Sequence, residues 1–245
     1  KTDRMDATRL LALLVRFAGG ERTVWSVVRV PSVEEEDRRH LHRELLTMKR
    51  DRTRIANRIQ GMLANQGVRV SWRQPLSPQL DALRLWDGSP LPPGLRERLE
   101  QERARLEFLN EQIEAVEATR RERIRTLRED PAVAKVSRLL TLQGVGSNSA
   151  WLYVMEFFGW RHFRNRREVG ALAGLTPTPY QSGESHREQG IAKAGNRHVR
   201  AMAIEIAWGW LRFQPASALT QWYEQRFGHG SSRLRRIGIV ALARK

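Results

Sequence analysis

The sequence contains no cysteine, and no run of about 18 apolar residues that could form a membrane span. Without cysteine the chain has no disulfide framework, no thiolate metal site and no cysteine nucleophile. No signal peptide opens the sequence either. These absences exclude a disulfide-stapled scaffold and predict that no part of this chain crosses a membrane.

Acidic residues are also scarce: 27 Asp and Glu accompany 43 Lys and Arg, which gives a net charge of +16 over 245 residues. Most of the positive charge is arginine, whose planar guanidinium matches the geometry of phosphate. Nucleic acid is therefore the first partner to test. We expect no membrane-surface role, because the sequence has no lipidation signal and no basic amphipathic anchor.

Two long helices are predicted in the first half of the chain, joined by a proline-rich linker at 67–93. Apolar residues recur at heptad spacing in both, across 41–62 and across 95–116. Helices that bury so narrow a stripe must pair, so we expect 33–130 to form an antiparallel coiled-coil hairpin or to pair with another copy. The charges of this arm are interpreted as a solvated surface, and direct nucleic-acid binding by its arginines is the alternative.

A compact, mainly helical domain is predicted from Asp130-Pro131 to the end of the chain, over 131–245. Its last part, 161–245, holds 15 Lys and Arg against 5 Asp and Glu, so positive charge is concentrated there. Five tryptophans are predicted to lie mostly in the core, with base stacking as the alternative. They are Trp151, Trp160, Trp208, Trp210 and Trp222.

A Gly-Val-Gly turn at 144–146 joins two short predicted helices within about 132–158, a pattern typical of a helix-hairpin-helix element. Glycines at such a turn let backbone amides and the start of the second helix approach a phosphate. Gly144, Gly146 and Ser147 are therefore candidate DNA contacts. The alternative is an ordinary tight turn between two helices.

A proline-punctuated extended run within 174–195 delivers Ser182 next to a glycine, and a basic loop and a helix follow. The pKa of a serine hydroxyl is too high for unaided attack on a phosphodiester, so nearby cations must stabilise both the alkoxide and the pentavalent phosphorus. The alternative is a surface turn in a phosphate-binding loop. Candidate DNA-binding residues around this serine are Lys193, Asn196, Arg197 and Arg200.

Asp3 and Asp6 lie three residues apart at the start of a helix predicted over 3–18. That spacing puts both carboxylates on one face, where they can contact Mg²⁺. Two carboxylates are too few for a two-metal phosphoryl-transfer site, which needs acids from elsewhere. The alternative is a helix N-cap and an exposed acid.

Four motifs occur in a fixed order along the chain. They are K-T-D-R-x-D-A at 1–7, the G-V-G turn, A-G-L-T-P at 173–177 with S-G after it, and I-A-K-A-G-N-R-H-V-R at 191–200. Together they resemble the DEDD-type insertion-sequence transposases of the IS110 group, and the resemblance covers nearly the whole chain. It depends on order and spacing, because each motif alone is modest.

This resemblance implies a RuvC-like nuclease domain, a coiled-coil arm and a C-terminal transposase domain. Residues 1–32 would then be the end of the α/β RuvC-like domain, with Asp3 and Asp6 the last two of four Mg²⁺-binding acids. Ser182 matches the position of the serine that becomes joined to DNA in this family, and Ser185 is the second candidate for that role. The resemblance further implies a structured guide RNA, a homo-oligomer (dimer or tetramer) whose working site combines two subunits, and a bacterial cytoplasmic, nucleoid-associated location.

Three hypotheses follow. The first is a DNA transposase or recombinase that cuts and rejoins strands through a covalent phosphoserine, with a Mg²⁺-dependent acidic site in the complete protein. The second is a non-catalytic helix-hairpin-helix DNA-binding module, and the third is a coiled-coil assembly protein whose charge only aids solvation. We interpret the chain as a fragment of a longer protein that lacks the first two acids, and expect it to bind DNA without cleaving it.

Overall fold

The computed structural model describes residues 3–25, 29–71, 76–182 and 185–245; the side chains at 76–77, 179–182 and 185–189 lie outside the description. The elements, in chain order, are α1 (Asp3–Ala18), α2 (Val33–Ala64), α3 (Leu76–Ala82), α4 (Pro93–Thr126), α5 (Pro131–Leu140), α6 (Ser147–Tyr153), α7 (Arg166–Leu172), β1 (Pro177–Ser182), β2 (Ser185–Ile191), α8 (Arg197–Phe213), α9 (Ala218–Tyr223) and α10 (Ser232–Arg244). Five-residue π-helical turns follow α6 (Val154–Phe158) and α9 (Glu224–Gly228). The mainly α prediction is confirmed.

The chain divides into two units, residues 1–32 and residues 33–245. In the first unit α1 buries none of its residues and ends at a glycine pair, where Gly20 has a φ of +101°. The ring of Phe17, near the end of α1, packs on the ring of Trp25, with centroids 4.9 Å apart. An Arg16–Glu21 ion pair spans the same turn.

In the second unit, α2 and α4 form the predicted antiparallel hairpin. Arg58 pairs with Glu102 at 2.8 Å, and Lys49 pairs with Glu117 at 2.6 Å. Later residues of α4 thus pair with earlier residues of α2, so the two helices run in opposite directions. Apolar residues close the hairpin near its tip: Ile59, Leu63, Val68, Leu80, Leu91, Leu95, Leu99 and Leu106. Residues of the proline-rich linker therefore pack into the arm.

The helices that follow α4 bury three apolar clusters, one around Trp151, one around Phe157 and one around Tyr223. The first of them, α5, begins after Asp130, whose carboxylate accepts hydrogen bonds from the amides of Ala132 and Val133. This side-chain cap and a proline at the first helical position are strong start signals for a helix. They explain why the arm ends and a new helix begins at this point.

Two expectations for this region need correction. Trp208 was predicted to be in the core, but 51% of it is exposed on α8 because its helix face is not covered by another described element. The stretch after Ser182 was predicted to be a basic loop, but residues 185–191 form β2, which pairs antiparallel with β1. The proline-rich run therefore satisfies its backbone hydrogen bonds through a second strand, as an extended segment requires.

Candidate nucleic-acid interface

Ser182 is the last residue of β1, and its backbone pairs with Ser185 at the start of β2. The register also pairs Pro179 with Glu188, with an irregularity between Pro177 and Pro179. Prolines suit this edge because they fix an extended φ and have no amide to donate. The side chains of Ser182 and Ser185 lie outside the described residues, so the serine assignment stays a prediction.

The two strands emerge from a pair of loops that are joined through their backbones. The amide of Ala192 donates to the carbonyl of Thr176 at 2.8 Å, and the amide of Lys193 donates to that of Gly174 at 3.1 Å. A third bond runs from Asn196 N to Leu172 O at 2.9 Å. These bonds place the A-G-L-T-P and K-A-G-N motifs side by side, although they are about 20 residues apart in sequence.

Gly195 is required by this junction. Its φ is +147°, and a Cβ there would overlap the carbonyl oxygen of Leu172 and lie 3.0 Å from the amide nitrogen of Gly174. Only a residue without a side chain permits so close a backbone approach. The glycine of the second motif thus serves packing between the two loops.

Asn196 forms the N-cap of α8, with its Oδ1 accepting from the amides of His198 and Val199. Around this cap lie the predicted cations. The side chains of Lys193 and Arg197 are exposed and have no hydrogen-bond or ion-pair partner among the described residues, whereas Arg200 Nη1 donates to the carbonyls of Ala173 at 3.2 Å and Lys193 at 3.0 Å. Arg200 therefore braces the junction, while Lys193 and Arg197 remain available for an anion.

Glu156 lies beneath this loop with its side chain fully buried, in the π-helical turn after α6. Arg43 Nε donates to it at 2.8 Å, Arg39 Nη2 donates at 3.2 Å, and Asn196 Nδ2 donates at 3.0 Å. Burial alone would raise the pKa of Glu156, but the hydrogen bond and charge of Arg43, with Arg39 and Asn196, hold it below its usual value. This carboxylate joins α2 of the arm to the cap of α8.

His42 is buried beside this cluster, and neither ring nitrogen has a hydrogen-bond partner among the described residues. Burial, and then the charge of Arg120, lower the pKa of His42 to about 4, so the ring is neutral near pH 7. Arg120 is itself buried, and its Nη1 donates to Asn148 Oδ1 at 3.0 Å. The arm therefore contacts the domain through several buried polar groups.

The predicted helix-hairpin-helix turn lies between α5 and α6. Gly144 has a φ of +92°, and a Cβ there would lie 3.7 Å from the backbone of Gly209 and 3.6 Å from the ring of Phe213. The turn therefore packs on the end of α8. Gly146 is the N-cap of α6 and has no side chain to cap it, so the first amides of the helix, from Ser147 on, lack a side-chain acceptor. This agrees with the geometry expected for phosphate contact, which stays a prediction.

Asp3 and Asp6 lie in the first turn of α1, three residues apart and exposed. In the described part of the chain, no cluster of three or more His, Asp or Glu side chains could hold a metal ion. These two carboxylates alone do not fit a catalytic Mg²⁺ site. No helix that the structure describes combines the length and apolar composition needed to cross a membrane.

The sequence analysis missed Glu156, Arg39, Arg43, His42 and Arg120. One signal was present: Glu156 interrupts the apolar run Val-Met-Glu-Phe-Phe. A lone acid in such a run is buried with its neighbours and needs partners. Its arginine partners could not have been found in the sequence, because they lie more than 100 residues away on a helix whose charges were interpreted as a solvated surface.

The fold and the site define a class of protein. It is mainly helical and arginine-rich, with a hairpin arm and a domain whose two-stranded hairpin emerges beside the exposed cations Lys193 and Arg197. Residues 136–224, from the middle of α5 to the end of α9, match the family model described as "Transposase IS116/IS110/IS902 family". Over these residues the chain is similar to the IS116/IS110/IS902 family of transposases.

Individual relatives extend the likeness beyond that domain. The chain is 43% identical to the putative transposase y4rJ of Sinorhizobium fredii, over all of this chain and 64% of the relative. It is 27% identical to a probable family 20 transposase of Pseudomonas aeruginosa, over 89% of this chain and 63% of that protein. A transposase for insertion sequence element IS1328 of Yersinia enterocolitica is 28% identical over 68% of this chain and 48% of the relative. The chain thus spans less than two thirds of these relatives.

Proposed function

We propose that this chain is part of a DNA transposase that cuts and rejoins strands through a covalent bond between Ser182 and DNA. The observation that carries the proposal is the backbone junction of residues 172–176 with 192–196. It holds the strand that ends at Ser182 and the exposed cations Lys193 and Arg197 on one short framework. The family match over 136–224 contains all of these residues.

The proposed step is a transesterification. The Oγ of Ser182 loses its proton to solvent and forms a bond to phosphorus, and the bond between phosphorus and one deoxyribose oxygen breaks, with that oxygen taking up a proton. Lys193 and Arg197 neutralise charge on the phosphorus-bound oxygens, which is where preorganised cations lower the barrier most. A hydroxyl from another strand then attacks the same phosphorus, which frees the serine and joins the strands.

We propose that the helix-hairpin-helix turn, which packs near the end of α8, gives DNA a second contact away from the serine hairpin at the start of that helix. Backbone amides at Gly144, Gly146 and Ser147 would contact phosphate. Such contacts bind DNA without dependence on its base sequence. Asn196 and Arg200 would act mainly through the loop that they brace. A structured guide RNA and a homo-oligomer, a dimer or a tetramer, belong to the same proposal, as does action on the bacterial nucleoid in the cytoplasm.

Asp3 and Asp6 enter the proposal as two ligands of a Mg²⁺ site in the complete protein. When bound, Mg²⁺ would polarise a phosphoryl oxygen and stabilise the leaving oxygen. Two carboxylates alone do not hold the ion in a catalytic geometry. We therefore expect that adding Mg²⁺ to these 245 residues produces no DNA cleavage.

A non-catalytic DNA-binding module is the second candidate, because the glycine turn, the helix caps and the free cations all serve binding without a reactive hydroxyl. Two measurements separate the hypotheses. Titrating a DNA duplex at two salt concentrations tests binding, which we expect to weaken steeply with salt; an assembly protein would not bind. A strand-joining assay with the complete protein then compares Ser182→Ala with wild type. Loss of joined product with retained binding supports the transposase, and unchanged joining refutes the serine assignment.

A further inference from the structure

We propose that the cleft between the end of α4 and α5 is a second binding surface for a phosphodiester backbone, separate from the serine hairpin. The cleft has a volume of about 580 Å³ and is open to solvent. Its lining residues are Arg121, Ile124, Arg125, Arg128, Ala134 and Ser137. Half of them are arginines, and no acidic residue lines the cleft.

The arginines form one wall. Arg121 and Arg125 are one helical turn apart, about 6 Å along the axis of α4, so their side chains lie on the same face. Arg128 follows just beyond the end of the helix, where its Nε donates to the carbonyl of Arg125 at 3.2 Å. That bond uses one donor of the guanidinium and leaves the rest for an anion.

Few carboxylates compete for these arginines. Arg121 has no hydrogen-bond or ion-pair partner among the described residues. Arg125 pairs with Glu122 at 2.9 Å, but both side chains are more than half exposed. An ion pair so open to water contributes little and is easily exchanged for a phosphate contact. The wall therefore presents cations that are not committed to the fold.

The rest of the lining has different chemistry. Ile124, on α4 between Arg121 and Arg125, is apolar, and α5 adds Ala134 and the hydroxyl of Ser137. A small charged ligand is normally held in an enclosed pocket with polar groups on several sides. An open cleft that combines three cations with a small uncharged surface suits an extended chain whose phosphates contact the arginines.

The cleft is tied to the helix-hairpin-helix element. Arg120, the neighbour of Arg121, is buried and bonds to Asn148 in the first turn of α6. The end of α4 that bears the arginines is therefore fixed next to the Gly146–Ser147 turn. A strand bound in the cleft would lie close to that turn, which would extend the contact made by the domain. This inference rests on the proposed function only in taking nucleic acid as the ligand.

The test compares two triple variants that remove equal charge. The cleft variant removes the three arginines of the cleft: Arg121→Ala, Arg125→Ala and Arg128→Ala. The control variant removes three exposed arginines elsewhere on the arm: Arg52→Ala, Arg54→Ala and Arg96→Ala. Binding of a fluorescent DNA duplex, the matching single strand and an RNA duplex of the same sequence is measured over a range of salt. The probe that loses most affinity identifies the nucleic acid that the cleft receives.

We expect the cleft variant to bind about tenfold more weakly and to lower the slope of log affinity against log salt by about 2, with a much smaller change in the control. Equal behaviour of the two triple variants overturns the inference, although the serine proposal would survive. Ser137→Glu gives a second route, because it adds a carboxylate to the cleft and keeps every arginine. It should weaken binding in the same way, and unchanged binding would also contradict the inference. If wild type binds none of the probes, both proposals fail.

Discussion

The side-chain amide of Asn196 donates through Nδ2 to Glu156 at 3.0 Å, while its Oδ1 caps the first turn of α8. One side chain thus connects a fully buried carboxylate to the helix that follows the basic loop. The carboxylate is held in turn by Arg39 and Arg43 of the arm. The loop with the candidate cations and the base of the arm therefore share one polar cluster.

Removing the buried carboxylate should destabilise the protein strongly. Glu156→Ala leaves Arg39 and Arg43 without their buried partner, and we expect a loss of about 3 kcal/mol in the free energy of unfolding. Urea unfolding measures this. Glu122→Ala is the matched control, since that exposed acid also pairs with an arginine, and its midpoint should not move. Similar losses for the two variants would contradict the role given to Glu156.

Exchanging the amide of Asn196 for a carboxylate isolates its bond to Glu156. Asn196→Asp keeps the cap but replaces the Nδ2 donor with an oxygen that faces another carboxylate, so we expect a loss of about 2 kcal/mol. Asn165→Asp is the control, because Asn165 caps α7 in the same way and makes no bond through Nδ2 among the described residues. Thermal unfolding should show a lower midpoint only for Asn196→Asp.

Two glycine substitutions separate backbone strain from steric overlap. Gly195→Ala brings both a positive φ and overlap with the carbonyl of Leu172, so we expect a loss of about 2 to 4 kcal/mol. Gly190→Ala brings a φ of +85° with no atom within 4 Å, and should lose about 1 kcal/mol. Unfolding curves test the order, and a larger effect at Gly190 would refute the close approach of the two loops.

The buried imidazole of His42 should make stability depend on pH. Burial and the charge of Arg120 lower its pKa to about 4, whereas the unfolded chain binds the proton below about 6.5. The unfolded state thus holds more protons in this window, and stability falls by about 3 kcal/mol as the pH drops from about 6.5 to about 4.

Comparing unfolding free energies of wild type and His42→Phe across this range isolates the effect. The pKa of His198 is also lowered, mainly by burial, so His198 adds to the pH dependence of unfolding free energy in both proteins. The stability that Glu156 contributes is lost only below its usual pKa of about 4.5, because its folded pKa is lowered. Arg120 and Lys49 are the remaining charges that face His42. His162→Phe, at an exposed position, is the control and should leave the dependence of unfolding free energy on pH as in wild type. If His42→Phe depends on pH as steeply as wild type does, the role given to His42 is contradicted.

The sequence predicted the parts of the fold that local signals specify. Heptad spacing gave both arm helices, and Asp130-Pro131 gave the start of α5, since capping and periodicity operate within a few residues. The second strand of the serine hairpin was missed, although Gly183-Glu184 between the two segments fits the Gly-X pattern common in short hairpin connections. Its residues are polar and show no alternation, so the pattern of hydrophobicity gave no signal.

The site was predictable only in part. Lys193 and Arg197 were predicted as DNA contacts because charge and glycine occur together in one short stretch; both side chains are exposed, and the contact itself stays a prediction. The bracing bonds of Arg200 and the cluster around Glu156 depend on contacts between segments 25 to more than 100 residues apart. Such contacts are set by tertiary packing, which a single sequence does not encode in any local pattern.

The central claim is that a DNA strand becomes joined to Ser182, and mapping the joined residue tests it directly. The complete protein is trapped on a nicked DNA substrate that cannot be released, digested with protease and examined by mass spectrometry for the peptide that carries a nucleotide. The account predicts a phosphate linkage on Ser182, lost in Ser182→Ala and retained in Ser185→Ala. A nucleotide on Ser185 or another residue, or no covalent product from a protein that completes strand joining, would contradict it.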